Sequence, residues 1–185
     1  MPGNLSGILF YIYNKKMITR KNAVAAAYYN NYIQAAGEDD VMKALKKSTK
    51  EFRKFLERIP RKKLNHAYAE GKWTIKEILR HLIDAERVFA YRALVFARKD
   101  GTELPSFDEN NWALHAQAIH RKWKDLLEEF LAVRKSTELL YDSFNEDQLL
   151  STGTASGSAV NVVALGYIMA GHTRHHMSII KERYL

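Results

Sequence analysis

The chain has 185 residues, which suffices for one domain that buries its own core without cross-links. It contains no cysteine, and this absence excludes disulfides, thiolate metal sites and a cysteine nucleophile. The formal net charge of +8 raises the question of a nucleic-acid partner.

A composition rich in Tyr, Asn and Ala sets residues 1–38 apart from the rest of the chain. We expect these residues to form an N-terminal extension, partly docked or flexible, followed by one helical domain over residues 39–185. Met17 is a plausible second start, so residues 1–16 are expected to be dispensable for folding. The side chains predicted to dock on the domain are Tyr28, Tyr29, Tyr32 and Ile33.

The sequence carries no pattern typical of a membrane anchor. Its early apolar run, ILFYIY at residues 8–13, is too short to cross a bilayer. The run also lacks the basic segment and the small-residue cleavage site of a signal peptide. We therefore expect a soluble, cytoplasmic protein with no membrane partner.

The first long helix is predicted over residues 41–59, after the acidic caps of GEDD and before Pro60. Residues 43–63 hold ten Lys and Arg against two Glu, and this excess of eight equals the whole net charge. The basic residues follow helical spacing opposite an apolar face, which favours a solvated surface. No nucleic-acid-binding motif accompanies them, so nucleic acid is an unfavoured partner.

Three further helices are predicted downstream. Thr74 and Glu77 form a capping box that starts the second helix, which should continue to about Lys99. The third helix is expected over residues 111–144, where apolar residues alternate steps of four and three. After the loop STGTASGSA, the fourth should run from about Val160 to the C terminus. Together they predict an all-α, antiparallel four-helix bundle, with a crossover connection left open.

The final segment, GHTRHHMSIIKERYL, places His172 and His176 one turn apart in the apolar seam of the fourth helix. This spacing lets two imidazoles reach one metal ion. Each buried imidazole also brings two nitrogens that need partners, which favours metal ligation over simple packing. His175 is rotated by about 100° from His176 and belongs to a neighbouring face.

A third ligand should come from another helix, and His81 in the second helix is the best candidate. On an ideal helical wheel it lies at the edge of the apolar stripe, where an exposed or boundary histidine is the simpler interpretation. The remaining histidines, which have no partner at recognisable spacing, are His66, His115 and His120.

Two carboxylates of the second helix are weak catalytic candidates. Glu86 falls near the middle of the apolar stripe, where an unpaired charge is costly. We interpret it as a buried hydrogen-bond partner, with Tyr91 or Arg183 as candidate mates, in preference to a functional acid. Asp84 can orient a ligand or assist a bound water, or it can be an exposed charge.

Two stretches carry a resemblance to a known family. They are GKWTIKEILRHLIDAERVFAYRALVFARKDGTELPSFDEN and LGYIMAGHTRHHMSIIKERYL. From about Asp40 to Leu185 the chain resembles the DinB superfamily of four-helix-bundle proteins, which includes YfiT-like metal-dependent enzymes. The resemblance implies that a histidine of the second helix and two of the last bind a divalent metal, commonly nickel or zinc. By position these are His81, His172 and His176.

The resemblance implies a metal-dependent enzyme that acts on a small molecule, either a hydrolase or a transferase that uses a low-molecular-weight thiol. It also implies a homodimer. Two alternatives stay open: a non-catalytic stress or binding protein with a structural or vestigial metal site, and nucleic-acid binding through the basic first helix. The sequence leaves the metal open as well, because three histidines suit several divalent ions.

Overall fold

The computed structural model describes residues 18–185. The apolar run at residues 8–13, the alternative start at Met17 and the expected dispensability of residues 1–16 lie outside the described residues. No helix in the described range combines the length and the apolar character that crossing a membrane requires.

Seven α-helices and one β-hairpin form the described part of the chain. The helices are α1 (Asn30–Ala35), α2 (Val41–Leu56), α3 (Ile75–Ala97), α4 (Glu109–His115), α5 (Trp123–Asp142), α6 (Glu146–Leu150) and α7 (Val162–Arg183), and the strands are β1 (Thr152–Ala155) and β2 (Ser158–Asn161). The long helices α2, α3, α5 and α7 form a four-helix bundle, as predicted. Both α2 and α3 pack against α5 and α7, so α2 and α3 lie diagonally opposite each other.

Local caps explain where the long helices start. Asp40 accepts a hydrogen bond from the Lys43 amide and caps α2. The predicted capping box of α3 is confirmed, because Thr74 and Glu77 each bond the other's backbone amide. Asn161 caps α7 through the amide of Ala164.

Contacts along α5 fix the direction of its two neighbours. Ser48 and Phe52 of α2 meet Arg134 and Phe130 of α5 respectively, so these two helices are antiparallel. In contrast, two ion pairs join α3 to α5 in rising order on both helices, which makes this pair parallel. These ion pairs are Arg80 to Glu129 and Glu86 to Arg134.

The same comparison fixes α7. Glu51 and Phe55 of α2 meet Arg174 and Lys181 of α7, so these helices run in the same direction. The start of α3 meets the end of α7, where the Tyr184 hydroxyl donates to the Trp73 carbonyl. The bundle is therefore up, down, down, up. The connection from α3 to α5 is the crossover that the sequence left open.

Two predicted elements differ in the structure. The expected third helix over residues 111–144 is broken into α4, a 3-10 turn at Ala118–His120 and α5. Gln117 takes a left-handed conformation with φ of 47°, and a single left-handed residue ends an α-helix. The expected loop STGTASGSA contains the hairpin β1–β2, because Ser156 and Gly157 both have positive φ and form a two-residue turn.

Arg134 connects all four helices of the bundle, although no part of its side chain is exposed. Its guanidinium donates to Glu86 of α3 at 2.6 Å, to Ser48 of α2 at 3.0 Å and to Thr173 of α7 at 2.9 Å. The prediction that Glu86 pairs with Tyr91 or Arg183 was wrong. Tyr91 points outward on α3 and is 58% exposed. The buried carboxylate of Glu86 pairs instead with Arg134, a cation from the adjacent helix.

The segment before α2 packs against α7. Ile33 is buried, and Tyr29 and Tyr32 pack on the core as predicted, whereas Tyr28 is mostly exposed. A Cβ atom at Gly171 would lie 1.8 Å from the Tyr32 carbonyl oxygen, so the close approach of α1 requires glycine there. The contact between Tyr32 and Gly171 joins the N-terminal segment to the bundle. The predicted domain boundary between residues 38 and 39 therefore stays a prediction.

Candidate metal centre

Three histidines from two helices converge at one point on the bundle. The Nε2 atom of His172 lies 3.1 Å from Nε2 of His81 and 3.0 Å from Nε2 of His176. One ring nitrogen from each of the three lies within 4.8 Å of those of the others. The structure therefore brings together the three residues that the sequence singled out.

The helix geometry explains this convergence. His172 and His176 stack on one face of α7, as their spacing predicts. His81 is partly exposed, in agreement with its edge position on the helical wheel. Because α3 packs against both α5 and α7, the edge of its apolar stripe can face α7. The helical wheel placed His81 correctly, but it could not show which neighbour that edge meets.

His175 does not belong to this group. Its side chain is exposed, and its ring centroid lies 5.2 Å from those of Tyr32 and His176. Three other histidines are also exposed and outside the group: His66, His115 and His120.

Burial keeps the three rings uncharged. It lowers the pKa of His81 to about 4, against a smaller opposing effect of Glu109. Burial lowers the pKa of His176 to about 3, and the charges of His81 and His175 add to the effect. The pKa of His172 is held well below its usual range, first by burial and then by the neighbouring imidazoles. Near pH 7 all three are neutral, which is the form that ligates metal.

Hydrogen bonding alone does not satisfy this arrangement. A nitrogen of a neutral imidazole carries either one hydrogen or one lone pair. Nε2 of His172 is close to two other Nε2 atoms, so one of these contacts has no complementary partner. In addition, Nδ1 of His176 is buried without a hydrogen-bond partner among residues 18–185.

The donor set fits a divalent ion. Nitrogens that lie 2.0 to 2.1 Å from one zinc are at most about 4.2 Å apart. The two Nε2 contacts of His172, at 3.0 and 3.1 Å, fall within that limit, and the nitrogens of the third pair, His81 and His176, lie within 4.8 Å of each other. A cation at the convergence point can take a lone pair from each ring. Each ring would then carry its proton on Nδ1, and Nδ1 of His176 has no acceptor among the described residues.

Aromatic side chains surround the three rings. The Trp73 ring lies 4.7 Å from the His81 ring, and the Tyr32 ring lies 5.2 Å from the His172 ring. Phe89 approaches His172 from α3 at 6.4 Å. Sequence reasoning missed Trp73 as a neighbour of the site. The sequence did place Trp73 just before the cap of α3, about two helical turns before His81, and this spacing could have indicated the contact.

The two candidate carboxylates are engaged elsewhere. Asp84 pairs with Arg80 at 2.7 Å and with Arg87 at 3.5 Å. Glu86 pairs with the buried Arg134. Neither carboxylate is part of the three-histidine group. A catalytic role for Asp84 or Glu86 stays a hypothesis, and their ion pairs already account for both positions.

The fold and the site together place the protein in the class of four-helix bundles that carry a candidate three-histidine metal centre. The family profile of the DinB superfamily matches residues 44–180, which is most of the chain. The chain belongs to the DinB superfamily.

Curated relatives share this domain at low identity. A protein of Geobacillus kaustophilus named "Putative metal-dependent hydrolase" is 27% identical over 129 residues, which are 61% of this chain and 65% of the relative. The match thus spans slightly less than two thirds of that relative. A Bacillus cereus protein with the same description is 22% identical over 143 residues, which are 70% of this chain and 75% of the relative.

Two solved structures share the fold. YfiT from Bacillus subtilis, described as "a probable metal-dependent hydrolase with an unusual four-helix bundle topology", superposes with a TM-score of 0.65 at 16% identity. The match covers 86% of this chain and 87% of YfiT. A mycothiol-dependent maleylpyruvate isomerase gives a TM-score of 0.62 at 12% identity over 81% of this chain and 59% of the isomerase.

Proposed function

We propose that the protein is a divalent-metal-dependent enzyme that acts on a small molecule, with His81, His172 and His176 as the metal ligands. The observation that carries the proposal is the convergence of three neutral Nε2 atoms, which hydrogen bonding alone leaves unsatisfied. Three imidazoles without a carboxylate or a thiolate suit zinc or nickel better than magnesium or calcium.

Three protein ligands leave further coordination positions, which distinguishes a catalytic centre from a closed structural one. When bound, the ion supplies Lewis-acid chemistry toward an oxygen of the substrate. The residues of this chain hold the ligand rings neutral by burial. The aromatic rings of Trp73, Tyr32 and Phe89 pack against them and fix their orientation.

Hydrolysis is the first candidate reaction, because two relatives carry the name "Putative metal-dependent hydrolase". Transfer or isomerisation with a small thiol is the second, because a structural neighbour is a mycothiol-dependent isomerase. In that case the thiol must come from a separate molecule, since the chain has no cysteine.

A turnover screen tests the proposal. Zinc-loaded and nickel-loaded protein, freed of any affinity tag, is assayed on a panel of small esters, amides and phosphoesters, and on electrophiles with added thiol. We expect turnover that disappears with a chelator and in His172→Ala, and that persists in His175→Ala. A metal-loaded, folded protein that turns over none of these substrates would support a non-catalytic binding protein instead.

A further inference from the structure

A cavity of about 230 Å³ opens beside the three histidines. It is smaller than the typical range of about 300–1,000 Å³ for the sites of drug-sized ligands, so it has room only for a small molecule. The residues that line it are Tyr68, Gly71, Lys72, Trp73, Ile78, Asn110, His176, Ile179 and Tyr184. No carboxylate is among them.

The cavity has an exposed rim and a buried floor. Gly71, Lys72 and Asn110 are exposed and form the rim. Ile78 and His176 are buried and form the floor. His176 is a member of the three-histidine group, so the floor of the cavity meets the candidate metal centre. A molecule that enters the cavity therefore places one end at the metal centre and the other near the rim.

The walls between floor and rim are aromatic and aliphatic. Trp73 lines the cavity, and its ring also packs on the His81 ring, so this wall extends to the candidate metal centre. Tyr184 presents mainly its ring, since its hydroxyl already donates to the Trp73 carbonyl. Such walls favour an occupant with an apolar body, because burial of apolar surface is favourable.

The rim carries a positive charge. Lys72 forms no ion pair with any described residue. A second cation is close, because the guanidinium of Arg183 lies 5.4 Å from the centre of the Tyr68 ring, and Tyr68 lines the cavity. An ammonium that pairs with no described carboxylate favours an anionic group on the occupant.

We infer that this cavity is the substrate site and that it takes a small molecule with an apolar body and one anionic group. The anionic group lies at the rim against Lys72, and the opposite end lies at the floor beside His176. The assignment of the occupant as substrate rests on the proposed function. The binding chemistry is independent of the proposed function, because His176 is the one proposed metal ligand among the residues that line the cavity.

The test compares two probes of similar shape, 3-phenylpropanoate and the neutral 3-phenylpropanol. Their binding is followed by amide chemical shifts and by calorimetry, on protein treated with chelator and on protein loaded with zinc. We expect the carboxylate to bind about tenfold more tightly than the alcohol, with the largest shifts at cavity residues. Equal affinities, or shifts confined to other surfaces, would overturn the inference.

Variants identify the residues that cause the preference for the carboxylate probe. Lys72→Gln should lose most of the preference and keep only what Arg183 supplies, whereas the control Lys124→Gln, on an exposed position of α5 outside the cavity, should keep it in full. Asn110→Trp adds bulk at the rim and should weaken both probes. These positions are exposed, so all three variants should fold, which circular dichroism checks. An undiminished preference in Lys72→Gln would overturn the placement of the anionic group against Lys72.

The two forms of the protein separate this inference from the proposed function. If both forms prefer the carboxylate but zinc does not bind to the histidines, the cavity stands and the metalloenzyme proposal fails. If zinc binds to the histidines but neither form distinguishes the probes, the metal centre stands and the inferred substrate class fails.

Discussion

The ring of Tyr32 lies 5.2 Å from the ring of His172, although Tyr32 precedes the part of the chain that matches the family profile. The contact is possible because α1 crosses α7 at Gly171, where the backbones nearly touch. The N-terminal segment thus supplies part of the wall around the candidate metal centre. We therefore expect that loosening the packing of α1 on α7 also loosens the ring of His172.

Gly171→Ala tests this crossing. The added methyl group meets the Tyr32 carbonyl, and we expect a loss of about 1–3 kcal/mol in the free energy of unfolding, as for other overpacked contacts. Urea denaturation measures the loss. Gly101→Ala is the matched control, because Gly101 is exposed and has nothing within 4 Å of the new methyl. Equal stability of the two variants would show that α1 does not pack here in solution.

The buried pair of Glu86 and Arg134 should behave as one unit. Arg134→Met alone leaves a buried carboxylate without its partner, and we expect a loss of about 3–5 kcal/mol. Combining it with Glu86→Leu removes both charges and should recover much of that loss. A double-mutant cycle by chemical denaturation gives the coupling between the two side chains. Additive losses would mean that the ion pair does not couple the helices.

The pH dependence of the metal-free protein follows from the neutral histidines. Burial lowers the pKa of His81 to about 4 and that of His176 to about 3, whereas both have ordinary values of 6.5 when unfolded. Above pH 6.5 their neutral forms prevail in both states and the contribution to stability is fully present. Between pH 6.5 and 4 these imidazoles bind protons in the unfolded chain but stay mostly unprotonated in the folded protein. The free energy of unfolding therefore falls as the pH falls.

Urea titrations with chelator at several pH values between 7.5 and 4.5 measure this slope. His81→Gln should flatten it, because one of the titrating imidazoles is gone. Parallel curves for the wild-type protein and His81→Gln would indicate that His81 is protonated as easily in the folded protein as in the unfolded chain.

Local signals made much of the fold predictable. The capping box of Thr74 and Glu77 marked the start of α3, and helical spacing placed His172 and His176 on one face. The break of the third helix at Gln117 was hidden, because neither glycine nor proline marks that left-handed residue. The crossover was hidden too, because the lengths of connections do not fix the direction of the next helix.

Long-range contacts account for what the sequence missed at the site. In the sequence of α5, nothing distinguishes Arg134 from an exposed residue. Its burial depends on Glu86 and Thr173, which belong to two other helices. Trp73 reaches His81 only once α3 has formed. His81 itself depended on family resemblance, because an edge position becomes a ligand position only when the adjacent helix supplies the other two imidazoles.

Zinc titration of the tag-free protein, with a competing chromophoric chelator as the readout, measures whether the three histidines form one metal centre. We expect one zinc per chain for the wild-type protein and for His175→Ala, and a loss of affinity of at least about 100-fold for His81→Ala. A folded wild-type protein that binds no zinc or nickel, or a His81→Ala variant that binds as tightly as wild type, would contradict a metal centre built from His81, His172 and His176.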